Sequence, residues 1–123
     1  MNEANNTICV VEDNTPIRKL FCTLLRKGGF ETADFGEAAP AMEWLAANKP
    51  VAIILDILLP DSNGTELIGR IKELPGYSEV PVIAVTGFAN VSDRSKFMEM
   101  GFDSYISKPI NTATFVDEVK KVL

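Results

Sequence analysis

Short apolar runs rich in β-branched residues alternate along this chain with stretches of helical periodicity, and that alternation restricts the fold more than any other feature. The sharpest run is Val51-Ala52-Ile53-Ile54-Leu55, introduced by Pro50 and closed by Asp56. A run apolar at consecutive positions has no side to offer water, so it reads as a central parallel strand covered on both faces. A charge inside such a strand would be very costly. At the strand's end the backbone leaves the sheet, and a carboxylate there can meet solvent, a metal or a substrate. Capping of the next helix or turn is the ordinary alternative for Asp56. It ranks lower because other charged groups arrive at the same rim.

Thr7 to Val11 is a second buried-strand candidate and ends in Glu12 and Asp13. Asn14 offers an N-cap, with Pro16 in the first turn, where a missing N–H does no harm. Ile17, Leu20, Phe21, Leu24 and Leu25 then make one apolar helix stripe, stopped by Gly28-Gly29. Phe30 to Phe35 is a weaker strand suited to an edge, and Glu37 to Asn48 supports a helix through Ala38, Ala41, Met42 and Leu45. Trp44 lies off that stripe and is expected to be flanking packing. After Asp56 a loop leads to a helix from about Gly64 to Glu73, carrying Leu67, Ile68, Ile71 and Leu74. Val80 to Val85 is the fourth strand and ends at Thr86-Gly87; the helix after it, Val91 to Met100, has a thin apolar stripe and is a candidate for movement. Ser104 to Ser107 is the fifth strand, followed by Lys108-Pro109 and a last helix capped by Asn111, with Phe115, Val119 and Val122 inward.

Five strands alternating with five helices over 123 residues predict one domain, 1–123, of class α/β: a doubly wound, flavodoxin-like parallel sheet in the order 2-1-3-4-5. The 17 acidic and 12 basic residues give net charge −5 without runs of one sign, which argues against nucleic-acid or anionic-membrane binding by this chain alone. No apolar run approaches a membrane span, and Met1 to Asn6 has neither the basic nor the apolar part of a secretory signal, so a cytoplasmic protein is expected. Cys9 and Cys22 sit inside apolar patterns and read as reduced core residues. The chain has 0 histidines, which removes serine–histidine and cysteine–histidine nucleophile pairs together with histidine metal ligands.

In the 2-1-3-4-5 order the first and third strands are neighbours at the topological switch point, where ligands bind outside the strands' carboxyl ends. Glu12, Asp13 and Asp56 therefore converge. At an effective dielectric near ~20, close carboxylates repel by roughly 4 kcal/mol per pair, which calls for a cation, and oxygen ligands alone select Mg²⁺ or a similar hard divalent ion. Thr86 and Lys108 bring a hydroxyl and an ammonium to the same rim. That set complements a phosphoryl group, with Asp56 as the nucleophile. Each residue alone has an ordinary explanation as turn, cap or solvated charge; the coincidence of all of them at strand ends does not.

Glu12-Asp13, Asp56 with Pro60 and Gly64 at DxxxPxxxG spacing, Thr86-Gly87 and Lys108-Pro109 together resemble the receiver domain of two-component response regulators, over essentially Thr7 to Leu123. The resemblance implies that Asp56 accepts a phosphoryl group from a phosphohistidine on a histidine kinase or histidine phosphotransfer protein. It implies Mg²⁺ held by Asp13, Asp56 and the Leu58 backbone carbonyl, with Glu12 acting through water. It also implies that Thr86 and Tyr105 switch on phosphorylation, that the surface of helix 4, strand 5 and helix 5 changes partner affinity, and that a cis peptide before Pro109 aims Lys108. Leu58 and Phe88 offer nothing to position a hydrolytic water, so self-dephosphorylation is expected to be slow.

An FMN-binding flavodoxin-like protein would share the fold but needs a hydroxyl- and glycine-rich loop where Glu12-Asp13-Asn14 stands. A haloacid-dehalogenase-type phosphatase needs a second acid at Leu58. A degenerate receiver acting only as a binding module is disfavoured by intact Asp56, Thr86 and Lys108. The chain ends after the fifth helix without an output domain, which leaves a stand-alone regulator and a receiver cut from a larger protein both open.

Overall fold

Successive side chains on a strand point to opposite faces, so strands apolar at every position need helices on both sides. The computed structural model, which describes residues 2–3, 6–57, 59, 61, 64–87 and 91–123, meets that requirement. Five strands, β1 (Thr7–Val11), β2 (Glu31–Phe35), β3 (Ala52–Asp56), β4 (Val82–Thr86) and β5 (Ser104–Ser107), alternate with α1 (Thr15–Lys27), α2 (Ala38–Ala47), α3 (Gly64–Glu73), α4 (Val91–Met100) and α5 (Phe115–Lys120). They form one parallel sheet in the order β2-β1-β3-β4-β5, the expected doubly wound, flavodoxin-like arrangement.

The pleat sorts the core. Cys9, Val11, Ile53, Leu55, Val82 and Ala84 face α2 and α3, through Ala38, Ala41, Leu45, Leu67, Ile68 and Ile71. Ile8, Val10, Ala52, Ile54, Ile83 and Val85 face α1 and α5, through Phe21, Cys22, Leu25, Phe115 and Val119. The Phe21 and Phe115 rings stack with centroids 5.0 Å apart. Both cysteines are buried and free, and Trp44 flanks the core against Phe35.

Three details differ from the sequence expectation. Leu20 is 39 % exposed, and Cys22 takes the inward place on α1, because the helix lies on the sheet along a narrower stripe than the apolar pattern offers. Helix α2 stops at Ala47; Asn48–Lys49 turns extended and pairs in parallel with Asn2–Glu3, a small ladder with no periodic signal of its own. Asn111 opens a turn, its Oδ1 accepting from the Ala113 N–H at 3.0 Å, and α5 proper begins only at Phe115. The described side chains of α4, Ser95, Lys96, Met98, Glu99 and Met100, are all exposed. That helix rests on α3 and β5. It ends at Gly101, whose φ of 112° favours glycine.

Candidate functional site

The carboxyl ends of β1, β3, β4 and β5 meet at one rim because parallel strands all point the same way. β1 delivers Glu12, which is fully buried, and then Asp13, which is exposed. The Glu12 N–H donates to the Phe35 carbonyl at 3.0 Å and its Oε2 accepts from the Asn14 N–H at 3.2 Å, so both ends of the residue are held. Asn14 also caps α1, its Oδ1 accepting from the Ile17 N–H at 3.0 Å. Arg18, one turn on, donates from Nη1 to the Glu12 carbonyl at 2.9 Å and from Nε to Asp34 Oδ2 at 3.0 Å. The acid pair is thus tied to the start of α1 and to the edge strand β2.

Asp56 ends β3 at 5 % exposure and Thr86 ends β4 at 2 %. Lys108 follows β5, its backbone N–H donating to the Thr86 carbonyl at 2.9 Å, and the Lys108–Pro109 peptide is cis. Its Nζ lies 2.7 Å from Glu12 Oε1 and 3.5 Å from Asp56 Oδ2. Partial burial alone would lower the lysine pKa. The hydrogen bond to Glu12 and the negative charges of Asp56 and Glu12 outweigh it, and the ammonium is held above its usual range.

Glu12, Asp13 and Asp56 each place a carboxylate oxygen within 4.8 Å of the others. Asp13, Asn14, Ile17, Asp56, Thr86, Gly87 and Lys108 line a cleft of 390 Å³ over them. One ammonium against three carboxylates leaves an excess of negative charge, and an all-oxygen donor set of this spacing suits a hard divalent cation. The site residues named from sequence are therefore brought together, with two qualifications of place. Leu58, with Pro60 and Phe88, lies outside the described residues. Tyr105 and Pro109 line a second hollow of 440 Å³ with Ser107, Asn111, Glu118 and Lys121, rather than the acidic cleft. Asn14 and Ile17, which the sequence offers only as cap and core stripe, also line the cleft; their proximity to Asp13 is the signal. Arg18 has no signal in the apolar pattern, although its place one turn past the cap brings it back to the Glu12 carbonyl.

The chain is similar to proteins of one family. A curated relative, the polar-differentiation response regulator DivK of Brucella anthropi, is 34 % identical over 117 residues, covering 95 % of each chain. The receiver domain of a signal transduction histidine kinase from Syntrophus aciditrophicus superposes with a TM-score of 0.85 at 28 % identity, over 96 % of this chain and 89 % of that one. The receiver domain of a sensor histidine kinase from Pseudomonas aeruginosa PAO1, described with a magnesium ion coordinated in its active site cleft, superposes with a TM-score of 0.85 at 25 % identity over 96 % and 97 %. Residues 8–120 match the family described as the response regulator receiver domain, and the chain belongs to that family, as a receiver domain of two-component signal transduction.

Proposed function

We propose that this chain takes a phosphoryl group from a phosphohistidine of a histidine kinase or histidine phosphotransfer protein onto Asp56, with Mg²⁺ in the acidic cleft. The observation that carries this reading is the position of Lys108 Nζ between Glu12 and Asp56, beside three carboxylates that share one small volume. Glu12, Asp13, Asp56 and the Leu58 backbone carbonyl would hold the ion. When bound, Mg²⁺ supplies positive charge that offsets the carboxylates and the equatorial phosphoryl oxygens.

The remaining steps belong to side chains. An Asp56 carboxylate oxygen attacks phosphorus; the P–O bond forms as the P–N bond to the donor imidazole breaks, and the leaving imidazole keeps the electron pair and takes up a proton. Lys108 turns from Glu12 toward the arriving oxygens, and the Thr86 hydroxyl donates to another. The chain has 0 histidines of its own, so the donor is a partner or a small phosphodonor. Thr86 and Tyr105 then carry the change to the surface of α4, β5 and α5, whose exposed Met98 and Met100 make a ready contact for a downstream protein. Leu58 and Phe88 supply no polar group for hydrolysis, and the acyl phosphate is long-lived. A cytoplasmic location suits two buried free thiols.

The test is intact mass after incubation with acetyl phosphate or a phosphohistidine donor, with and without Mg²⁺. The wild-type chain gains the mass of one phosphoryl group only with Mg²⁺, and Asp56→Asn gains none. Undiminished labelling of Asp56→Asn removes the assignment.

A further inference from the structure

A helix leaves its first backbone N–H groups without partners, and its N-cap side chain ordinarily supplies one. In α2 the cap position is Glu37, which is extended (φ −142°, ψ 160°) and makes no side-chain hydrogen bond to the helix. The acceptor comes instead from another part of the chain. Asp61, five positions beyond Asp56 in the sequence, accepts from the Ala38 N–H through Oδ1 at 2.7 Å and from the Ala39 N–H through Oδ2 at 3.0 Å. Those amides hold its carboxyl below the usual range. The span leaving Asp56 is therefore fastened at two points. The Ile57 N–H donates to the Val85 carbonyl at 3.2 Å, with the Ile57 side chain in the core, and Asp61 grips α2. Leu59, between them, packs on the core face that α2 covers.

We infer that Asp61 is a positioning residue, which by gripping the first amides of α2 ties the segment that follows Asp56 to that helix and couples the helix to events in the acidic cleft. The inference rests on the proposed reading of the cleft and deepens it. A carboxylate that takes two neighbouring amides at once restrains the loop in distance and direction. Asp56, an ion ligand in that reading, is the last residue of β3 before this loop, so the hold on Ile57 and Asp61 bears on how well its carboxylate is pre-placed. Helix α2 in turn is fixed at its far end by the Tyr77 hydroxyl, whose one O–H is shared between the Leu45 and Asn48 carbonyls. A shift of the loop therefore bears on the helix as a body, and Trp44, the chain's one tryptophan, sits on α2 against Phe35 to report it.

The experiment measures Mg²⁺ binding by calorimetry and Trp44 emission through the same titration, on the wild type, Asp61→Ala and Asp61→Asn. In the wild type, emission changes saturably along the calorimetric isotherm. Asp61→Ala binds Mg²⁺ about tenfold more weakly and its emission no longer responds. Asp61→Asn, which keeps one carbonyl acceptor for the helix and so disturbs the cap less than alanine does, recovers part of both. Wild-type uptake without an emission change overturns the coupling, and Asp61→Ala or Asp61→Asn matching the wild type in both readouts overturns the positioning role; either result leaves the proposed function standing. No Mg²⁺ uptake by the wild type overturns both the inference and the reading beneath it.

Discussion

Lys108 Nζ lies 2.7 Å from Glu12 Oε1 but 3.5 Å from Asp56 Oδ2, so the lysine is held first by the buried acid of β1 and only second by the acid that ends β3. In the proposed reaction this order matters: Lys108 is kept within reach of Asp56 while its shortest contact is to Glu12.

Neutralising the nearer partner tests that hold. In Glu12→Gln the hydrogen bond weakens and one of the two charges that raise the Lys108 pKa is gone, so the pKa falls toward the ordinary lysine value. The folded chain holds this proton more tightly than the unfolded chain, so its stabilisation is complete below about pH 10.4 and is lost as pH rises through the folded value. Nuclear magnetic resonance titration of the Lys108 side chain, with urea midpoints across the alkaline range, should show the wild type retaining that contribution to higher pH than the variant. Equal titration of Lys108 in both would mean that Glu12 does not govern it.

Crowded carboxylates predict a second, opposite pair of effects. Asp13 is exposed, and its share of the repulsion among oxygens within 4.8 Å is about 1 kcal/mol at a water-like dielectric. Asp13→Asn should therefore raise the melting temperature in chelator by about 4 °C. The same change should remove most of the further rise that Mg²⁺ gives the wild type. A variant less stable in chelator, or still strongly stabilised by Mg²⁺, would show that Asp13 is not in repulsive contact with the others or is not a ligand.

The sheet was legible because three of its strands are written as dense apolar runs with one permitted placement, and the rim residues because parallel strands end together. Asp56, Thr86 and Lys108 follow from that rule without coordinates, the first two as the last residues of β3 and β4 and the third as the residue after β5. What escaped was contact set by three-dimensional approach. Leu20 fits the apolar pattern of α1 as well as Phe21 does, and only the way the helix sits on the sheet separates them. Asp61 has no periodicity or neighbour in sequence that announces Ala38 as its partner, 23 residues away. The Tyr77 hydroxyl reaches carbonyls 29 and 32 residues earlier, a relation that no local pattern encodes.

Arg18 and Gly36 make a pair whose energies should not add. A Cβ placed on Gly36 would lie 2.8 Å from Arg18 Nη1, the far end of a side chain that can swing away only by leaving Glu12 and Asp34. Gly36→Ala should destabilise chiefly through that displacement, and Arg18→Ala through loss of the same bonds, each by about 1–2 kcal/mol. The double variant should then cost about as much as the worse single one, read from urea unfolding of all four proteins. Costs that sum would place the alanine's effect elsewhere than on the guanidinium.

The Tyr77 hydroxyl closes the carboxyl end of α2, where Leu45 is among the last carbonyls without an intrahelical donor. Tyr77→Phe keeps the buried ring and removes only the donor, leaving the Leu45 carbonyl without its hydroxyl partner, at an expected cost of about 1–2 kcal/mol and roughly 4–8 °C. Burial, with a lesser push from Cys9, raises the phenol to about 12. An unfolded tyrosine ionises near ~10, so between those values the folded chain binds more protons than the unfolded one. The stabilisation is therefore whole below that range and disappears as pH rises through it. Absorbance titration should show a late phenolate step in the wild type that is missing from Tyr77→Phe. Stability of the variant should fall less steeply with alkali than that of the wild type, and parallel curves would mean that the hydroxyl is not held as described.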